Sequence, residues 1–248
     1  MYQFIFTGVV HPERANVNVS PIPLEVKNPD GTLICRNTVV IGCSQITAVV
    51  ETPDAIQDIA TLKNHVADSI RTIVDIVGYM FGCGYEVEIR QVIEPVTGIS
   101  SVFGVNVPVL DQYGEKHGVR LQAFFALLAD ERGRYLQRAL GDLRDAIGSA
   151  RDTAFFCYRA IESLRQFYVV VRGAKDKAES WELLRTELNV SKSDIDEIKR
   201  LADPVRHGEN IFISDSERAN ALVKSWDIVK RFVDSAKLPT DSGTAEKL

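Results

Sequence analysis

Residues 153–171 read TAFFCYRAIESLRQFYVVV, and their apolar spacing decides the class of the second half of the chain. Ala154, Tyr158, Ile161, Leu164, Tyr168 and Val171 recur at intervals of three and four, which gathers them into one stripe of a 3.6-residue helix. Asp152 or Thr153 stands where a cap belongs, and Gly173 where a helix stops. Upstream, Leu136, Ala139, Leu140, Leu143 and Ile147 form another stripe that ends at Gly148-Ser149. Downstream, the pattern predicts a short helix over Lys177–Leu188 containing Trp181 and Leu184. A further helix runs from Ser193 to about Asp203, with Asp194 and Asp196 near the positive end of its dipole. A last helix is opened by the capping box Ser214/Glu217 and carries Ala219, Leu222, Trp226, Val229 and Val233 as a core stripe. Amphipathic helices in unbroken succession make residues 130–236 an all-α helical bundle.

The first half reads differently. Tyr2–Val10, Ile22–Val26, Thr32–Arg36 and Thr38–Val50 are rich in Val, Ile, Thr and Phe, and Asn28-Pro29-Asp30-Gly31 supplies turn chemistry for a hairpin. Thr52 and Pro53 are suited to open a long helix as N-cap and first residue. Its stripe runs through Ile56, Ile59, Ala60, Val66, Ile70, Ile73, Val74, Val77 and Met80 to a stop at Gly82-Cys83-Gly84, while Asp54 and Asp58 belong to a solvated acidic face. Strand-like residues return at Tyr85–Ile93 and Ile99–Val109. Residues 1–115 are therefore an α+β domain, a sheet with one long helix. The polar stretch Leu110–Gly118 marks the boundary. Within the connecting segment 116–129, the alternation of Val119, Leu121 and Ala123 favours a strand over Val119–Leu128. The polar tail 237–248 reads as disordered.

Composition bounds the function. The 248 residues are 45% hydrophobic and 25% charged, the balance of an ordinary folded protein. Apolar runs such as Ala123–Ala129 fall short of the roughly 18 residues of a membrane span. Met1–Val10 has no basic start and no small-residue cleavage site, so it reads as a strand rather than a signal peptide, and the expected location is cytoplasmic. The net charge of −5 argues against a protein that coats nucleic acid. The charge is divided, however: residues 1–115 hold 6 Lys and Arg against 13 Asp and Glu, and residues 116–248 hold 23 against 21. Cys35, Cys43, Cys83 and Cys157 form no C-x-x-C pair and read as reduced, mostly buried thiols. His11, His65, His117 and His207 lack metal-ligand spacing. Neither nucleotide-cradling glycine motif occurs, so no metal and no cofactor are expected. Without a G-x-S-x-G elbow, and with Cys157 in an apolar helical context, a Ser or Cys hydrolase has little behind it.

The least ordinary stretch is IKRLADPVRHGENIF, residues 198–212. Pro204 would remove a helix hydrogen bond and disfavour the α region at Asp203. If the turn stays helical, Arg200, Asp203 and His207 fall at i, i+3 and i+7 on one face, with Arg206 about a third of a turn away. Two guanidiniums, a carboxylate and an imidazole meet within a few residues.

The order of elements around this stretch resembles the HEPN superfamily: a long helix with AIESL at Ala160–Leu164, a short helix, an Arg-to-His segment and a closing helix. The family's motif is R-x(4–6)-H, and Arg200 and His207, with six residues between them and HGE at His207–Glu209, fit its longest form. This chain has Leu201 where the family commonly carries a polar residue, and Arg206 stands as a second arginine beside the histidine. The resemblance covers about residues 130–236 and implies a metal-independent endoribonuclease that works as a homodimer through the helical half, of the kind found in defence or toxin systems. In that chemistry the imidazole takes a proton from a ribose 2′-hydroxyl and the guanidinium holds the scissile phosphate. The product would be a 2′,3′-cyclic phosphate. Arg200 and His207 are the catalytic candidates, and Arg206, Asp203, Glu209, Arg159 and Glu162 the supporting or RNA-binding ones. The acidic first domain would then regulate or sense.

A different class of reading stands beside it. A histidine next to Arg and Gly at a helix end also serves as a cap or surface contact, and Arg159 and Glu162 suit a structural i,i+3 ion pair. On this reading the helical half is a non-catalytic module that binds RNA, a nucleotide or a protein partner.

Overall fold

In a computed structural model of the chain, the residues described are 1–28, 30–104, 107–111, 121–209, 211 and 213–236, those at 121–123 by backbone alone. The expectations for most of the linker and for the tail 237–248 lie outside the described residues. The chain forms two compact units, residues 1–105 and 106–248. The division falls ahead of the polar stretch at 110–118 because Leu110, on the 3-10 turn Pro108–Leu110, is buried in the core of the helical unit.

In the first unit, strands β1 (Tyr2–His11), β2 (Val19–Lys27), β3 (Leu33–Gly42), β4 (Gln45–Thr52), β5 (Glu86–Ile93) and β6 (Ser100–Val102) form an antiparallel sheet in the order β2-β3-β4-β1-β5-β6. Helix α1 (Ile59–Phe81) lies between β4 and β5 in sequence. The strand period of two sorts the side chains: Cys35, Val39 and Ile41 of β3 are buried while Arg36, Thr38 and Val40 are exposed. Phe4, Phe6, Ile46, Ala48 and Val50 share the buried cluster with Leu62, Val66, Ile70, Ile73 and Val74 of α1. Buried Asn37 donates its Nδ2 to Ser69 Oγ of α1 at 3.0 Å. The Asn28–Gly31 turn closes as expected, with Gly31 N–H donating to Asn28 O at 2.9 Å.

Several boundaries differ from the sequence reading. The long strand expected over Thr38–Val50 is two strands joined at Cys43-Ser44, both in the left-handed region with φ of 50° and 64°. That geometry is what a tight hairpin needs, and bonds from elsewhere hold it: Asn18 Oδ1 accepts the Cys43 N–H at 2.8 Å, and Ser44 Oγ accepts the Val17 N–H at 2.9 Å. Thr52 does not cap α1. It stays in β4, paired with Tyr2, and the cap is Asp58, whose carboxylate accepts from the N–H groups of Ala60 and Thr61. The Thr61 hydroxyl first, and then those backbone bonds, hold the Asp58 carboxyl below its ordinary range. The apolar stripe ends before Met80, which is exposed along with Tyr79 and Phe81. Of the expected Ile99–Val109 strand, Ser100–Val102 alone pairs among the described residues, against β5.

The thiols divide evenly. Cys35 and Cys157 are buried, with burial pushing them up to about 11 and about 12, whereas Cys43 and Cys83 are exposed. A thiolate is the reactive species. Native protein should therefore titrate two of its four cysteines with a thiol reagent within seconds, and the other two only in denaturant; four fast thiols would contradict this burial.

The second unit is built of α2 (Leu121–Ala129), α3 (Gly133–Gly148), α4 (Thr153–Val170), α5 (Lys177–Leu188), α6 (Lys192–Arg206) and α7 (Asp215–Ser235). Helix α4 packs on α3, α5, α6 and α7 and buries Ile161, Leu164, Phe167 and Tyr168 completely or nearly so. From Leu121 onward, the strand favoured over Val119–Leu128 is helix α2 instead: Phe124, Leu127 and Leu128 all pack into the bundle core, and their spacing of three and four suits a helix and no strand. At the start of α4, Asp152 makes no cap bond to the helix. Thr153 Oγ1 turns back to the carbonyls of Ala146 and Ser149, at 3.0 and 2.9 Å, and so ties α4 to the end of α3. Among the described residues, no helix is long and apolar enough to cross a membrane.

Candidate functional site

The candidate residues sit on the last two turns of α6. This helix is capped by Ser191, not Ser193, through a bond from the Asp194 N–H to Ser191 Oγ at 3.1 Å. It runs straight through Pro204 to Arg206. The break expected at Pro204 does not occur because the proline falls in the final turn, where one missing donor leaves only the carbonyl of exposed Arg200 to water. Ile195, Ile198, Leu201 and Ala202 are buried and pin the helix to the bundle.

The helix ends in a Schellman motif. His207 is the C-cap, Gly208 follows at φ 81°, the Gly208 N–H donates to Val205 O at 3.0 Å, and the Glu209 N–H donates to Pro204 O at 2.9 Å. Gly208 is where a left-handed residue is required. The HG pair thus has a structural role of its own: it closes the helix and turns the chain.

Because α6 is unbroken, Arg200 and His207 lie on one face, separated along the axis by roughly 10 Å. Both are exposed. The imidazole has no hydrogen-bond or ion-pair partner among the described residues. Arg200 Nη2 donates to Glu217 Oε1 at 3.3 Å. The Glu217 carboxyl is held below its usual range first by the Ser214 backbone N–H, then by the Ser214 hydroxyl, then by Arg200. The capping box of α7 therefore also steers the arginine. Asp203 takes the ammonium of Lys199, one turn back on the same helix. Arg206 approaches Glu162 of α4 at 4.0 Å. Glu209 is exposed.

Arg159 and Glu162 do not pair with each other. Arg159 Nε donates to Asp142 Oδ1 of α3 at 2.7 Å, and its other end reaches Asp145 at 3.7 Å. Asp142 is buried and also accepts from Ser163 Oγ at 3.1 Å. A buried carboxylate attracts the strongest donor within reach, which draws Arg159 across to α3 and leaves Glu162 to Arg206. Arg159 is thus a bundle strut, while Glu162 faces the α6 end.

Two partners were not singled out from sequence. Lys199, four residues before Asp203, was legible as an i,i+4 pair. Tyr158 was read as core, and it is 4% exposed. Its hydroxyl is pushed up to about 12, by burial first and then by the charges of Glu162 and Asp203, against the opposing pull of Arg165 and Arg206. It therefore stays a neutral donor beneath the charged surface. Among the described residues, no group of three or more His, Cys, Asp and Glu is placed to hold a metal ion.

Chemically, this surface offers two exposed guanidiniums, an ammonium and an open imidazole at a helix end. Among the described residues, Lys199, Arg200 and Arg206 are each held by an exposed or half-buried carboxylate that an incoming anion can replace.

Comparison with known proteins adds the family context. No curated protein and no solved structure matches the chain. Residues 4–103 match the family model described as "Domain of unknown function (DUF8168) N-terminal domain", and residues 121–237 the model described as "Domain of unknown function (DUF8168) C-terminal domain". The chain is similar to DUF8168 in both of its units, in the order in which that family's two domains are named.

Proposed function

We propose that the helical unit is a HEPN-like, RNA-acting module, with Arg200 to hold a phosphodiester and His207 to take a proton from the adjacent 2′-hydroxyl. One observation carries this reading: α6 stays helical through Pro204, so the arginine and the histidine share an exposed face with the imidazole unpartnered among the described residues. Arg206 supplies a second cation, and Tyr158 a neutral hydroxyl below it. The module works in the cytoplasm as a homodimer through the helical half, in which two copies of the motif form one cleft, and the acidic sheet unit aims or restrains it.

A second reading, binding without cleavage, draws on Leu201. The position that is commonly polar in the family is 5% exposed here and packs inward, so nothing polar follows Arg200 into the surface. RNA binding by variants separates the two. If cleavage is the function, His207→Ala should bind a short single-stranded RNA within about threefold of the wild type while failing to cut it, and Arg200→Ala should weaken binding about tenfold. Tight binding by a wild type that cuts nothing would leave the binding module.

A further inference from the structure

Arg165, on α4, is 8% exposed. Its Nη1 donates to Ser180 Oγ of α5 at 2.9 Å, and its guanidinium lies 5.2 Å from the centre of the Trp181 ring. Its Nε is fully buried and has no acceptor. Among the described residues, no carboxylate pairs with it. A guanidinium does not deprotonate in proteins, so a full positive charge is buried against one hydroxyl and one indole face. Buried charges are ordinarily paired, because desolvating a lone one is expensive. Arg132 of the same bundle shows the ordinary case. It also lies over aromatic rings, Phe167 and Phe232, but it reaches Glu187, Ser235 Oγ and the Phe232 carbonyl. Arg165 lacks such a set.

A seam of contacts joins Arg165, through Trp181 and Tyr158, to the exposed end of α6. Tyr158 stacks on Trp181 with ring centres 6.1 Å apart. Glu162 is one turn before Arg165 on α4, and Arg206 reaches Glu162 at 4.0 Å, beyond hydrogen-bonding distance. The charges of Glu162 and Asp203, and against them those of Arg165 and Arg206, act on the same Tyr158 hydroxyl. The seam thus has a buried cation at its inner end, a loosely held cation at its outer end and a neutral phenol between them. Its carboxylates are already matched, Glu162 by Arg206 and Asp203 by Lys199, so among the described residues the cation left without an anion is Arg165.

We infer that this seam is a phosphate site, in which a phosphate group, from an RNA backbone or a free mononucleotide, draws Arg206 away from Glu162 and is held between Arg206 and Arg165. Three or four tetrahedrally placed oxygens suit N–H donors that converge from two helices. The site deepens the RNA-acting reading but does not use His207, so each can fail without the other.

The test is a fluorescence titration of the full chain with inorganic phosphate at constant ionic strength, in a Trp226→Phe background that leaves Trp181 as the sole tryptophan. Phosphate should change the emission saturably while chloride does not. The apparent affinity should fall about tenfold in Arg165→Lys, which keeps the charge and loses the planar fork, and fall likewise in Arg206→Gln. His207→Ala should leave it unchanged. A short single-stranded RNA that competes with phosphate identifies the RNA backbone as the source; RNA that does not compete, with phosphate still saturating, identifies a free phosphate or nucleotide. Should Arg165→Lys fail to fold, the exposed Arg206→Gln decides alone. A response equal to that of chloride, or an affinity unaltered in the folded variants, overturns the site.

Discussion

Phe167→Ala will lower the stability of the helical unit by about 4 kcal/mol, at the upper end for removal of a buried ring. The ring is 1% exposed at the middle of the bundle. Tyr135, Tyr168 and Phe232 meet it edge to face, at centroid distances of 6.0, 5.3 and 5.5 Å, and the Arg132 guanidinium lies 4.9 Å from its centre. Helices α3, α4 and α7 contribute these neighbours, so no single side chain can move in to fill the space. The lost contacts therefore add to the lost burial. Against a domain stability of about 5–15 kcal/mol the loss is large. The readout is clean because both tryptophans, Trp181 and Trp226, belong to the helical unit. Tryptophan fluorescence in urea follows that unit alone, whereas a global signal would mix two transitions. A loss under about 1 kcal/mol would mean that the bundle is not organised around α4.

His207→Ala should reduce RNA cleavage by about 10²–10⁴-fold, the contribution of a positioned general base. The fold should survive, because the imidazole makes no bond among the described residues and the turn is closed by backbone N–H groups of residues 207 to 209. Thermal unfolding should therefore show nearly unchanged stability beside the lost rate. Gly208→Ala is the matching structural control: with φ at 81°, a side chain there strains the Schellman turn and should lower stability first. The two variants separate chemistry from helix closure at adjacent residues.

Sequence patterns went furthest where one local rule acted without rivals. The α5 boundaries, Lys177–Leu188, and the Ser214/Glu217 capping box follow from spacing and cap chemistry alone. Where two rules competed, the tertiary one prevailed. Thr52 and Pro53 have good helix-opening chemistry, yet the ladder partner Tyr2 keeps Thr52 in the sheet and leaves the cap to Asp58. Cys43 and Ser44 carry no glycine or asparagine to announce a left-handed turn; Asn18 and Val17, distant in sequence, hold it. Leu121 and Ala123 alternate with polar neighbours over too short a span to outweigh the helical spacing of Phe124, Leu127 and Leu128.

The candidate site was legible to the same degree. That Arg200 and His207 would share a face followed from helix geometry once α6 held its shape through Pro204. Their partners did not follow, because Glu217, Asp142 and the seam around Arg165 depend on which helices become neighbours. An i,i+3 pair such as Arg159 and Glu162 can be read from spacing, but the buried Asp142 of α3 outcompetes it. The burial of Arg165 without a carboxylate among the described residues was invisible for the same reason: only packing decides which groups surround an arginine on a helix.

The central claim, that the Arg200 and His207 face handles a phosphodiester, is tested most directly by end-group analysis of RNA incubated with the wild type and with His207→Ala in the presence of a metal chelator. The account predicts fragments ending in 2′,3′-cyclic phosphate with the wild type and none above background with the variant. Equal cleavage by the two proteins, or fragments ending in 3′-hydroxyls, would contradict it.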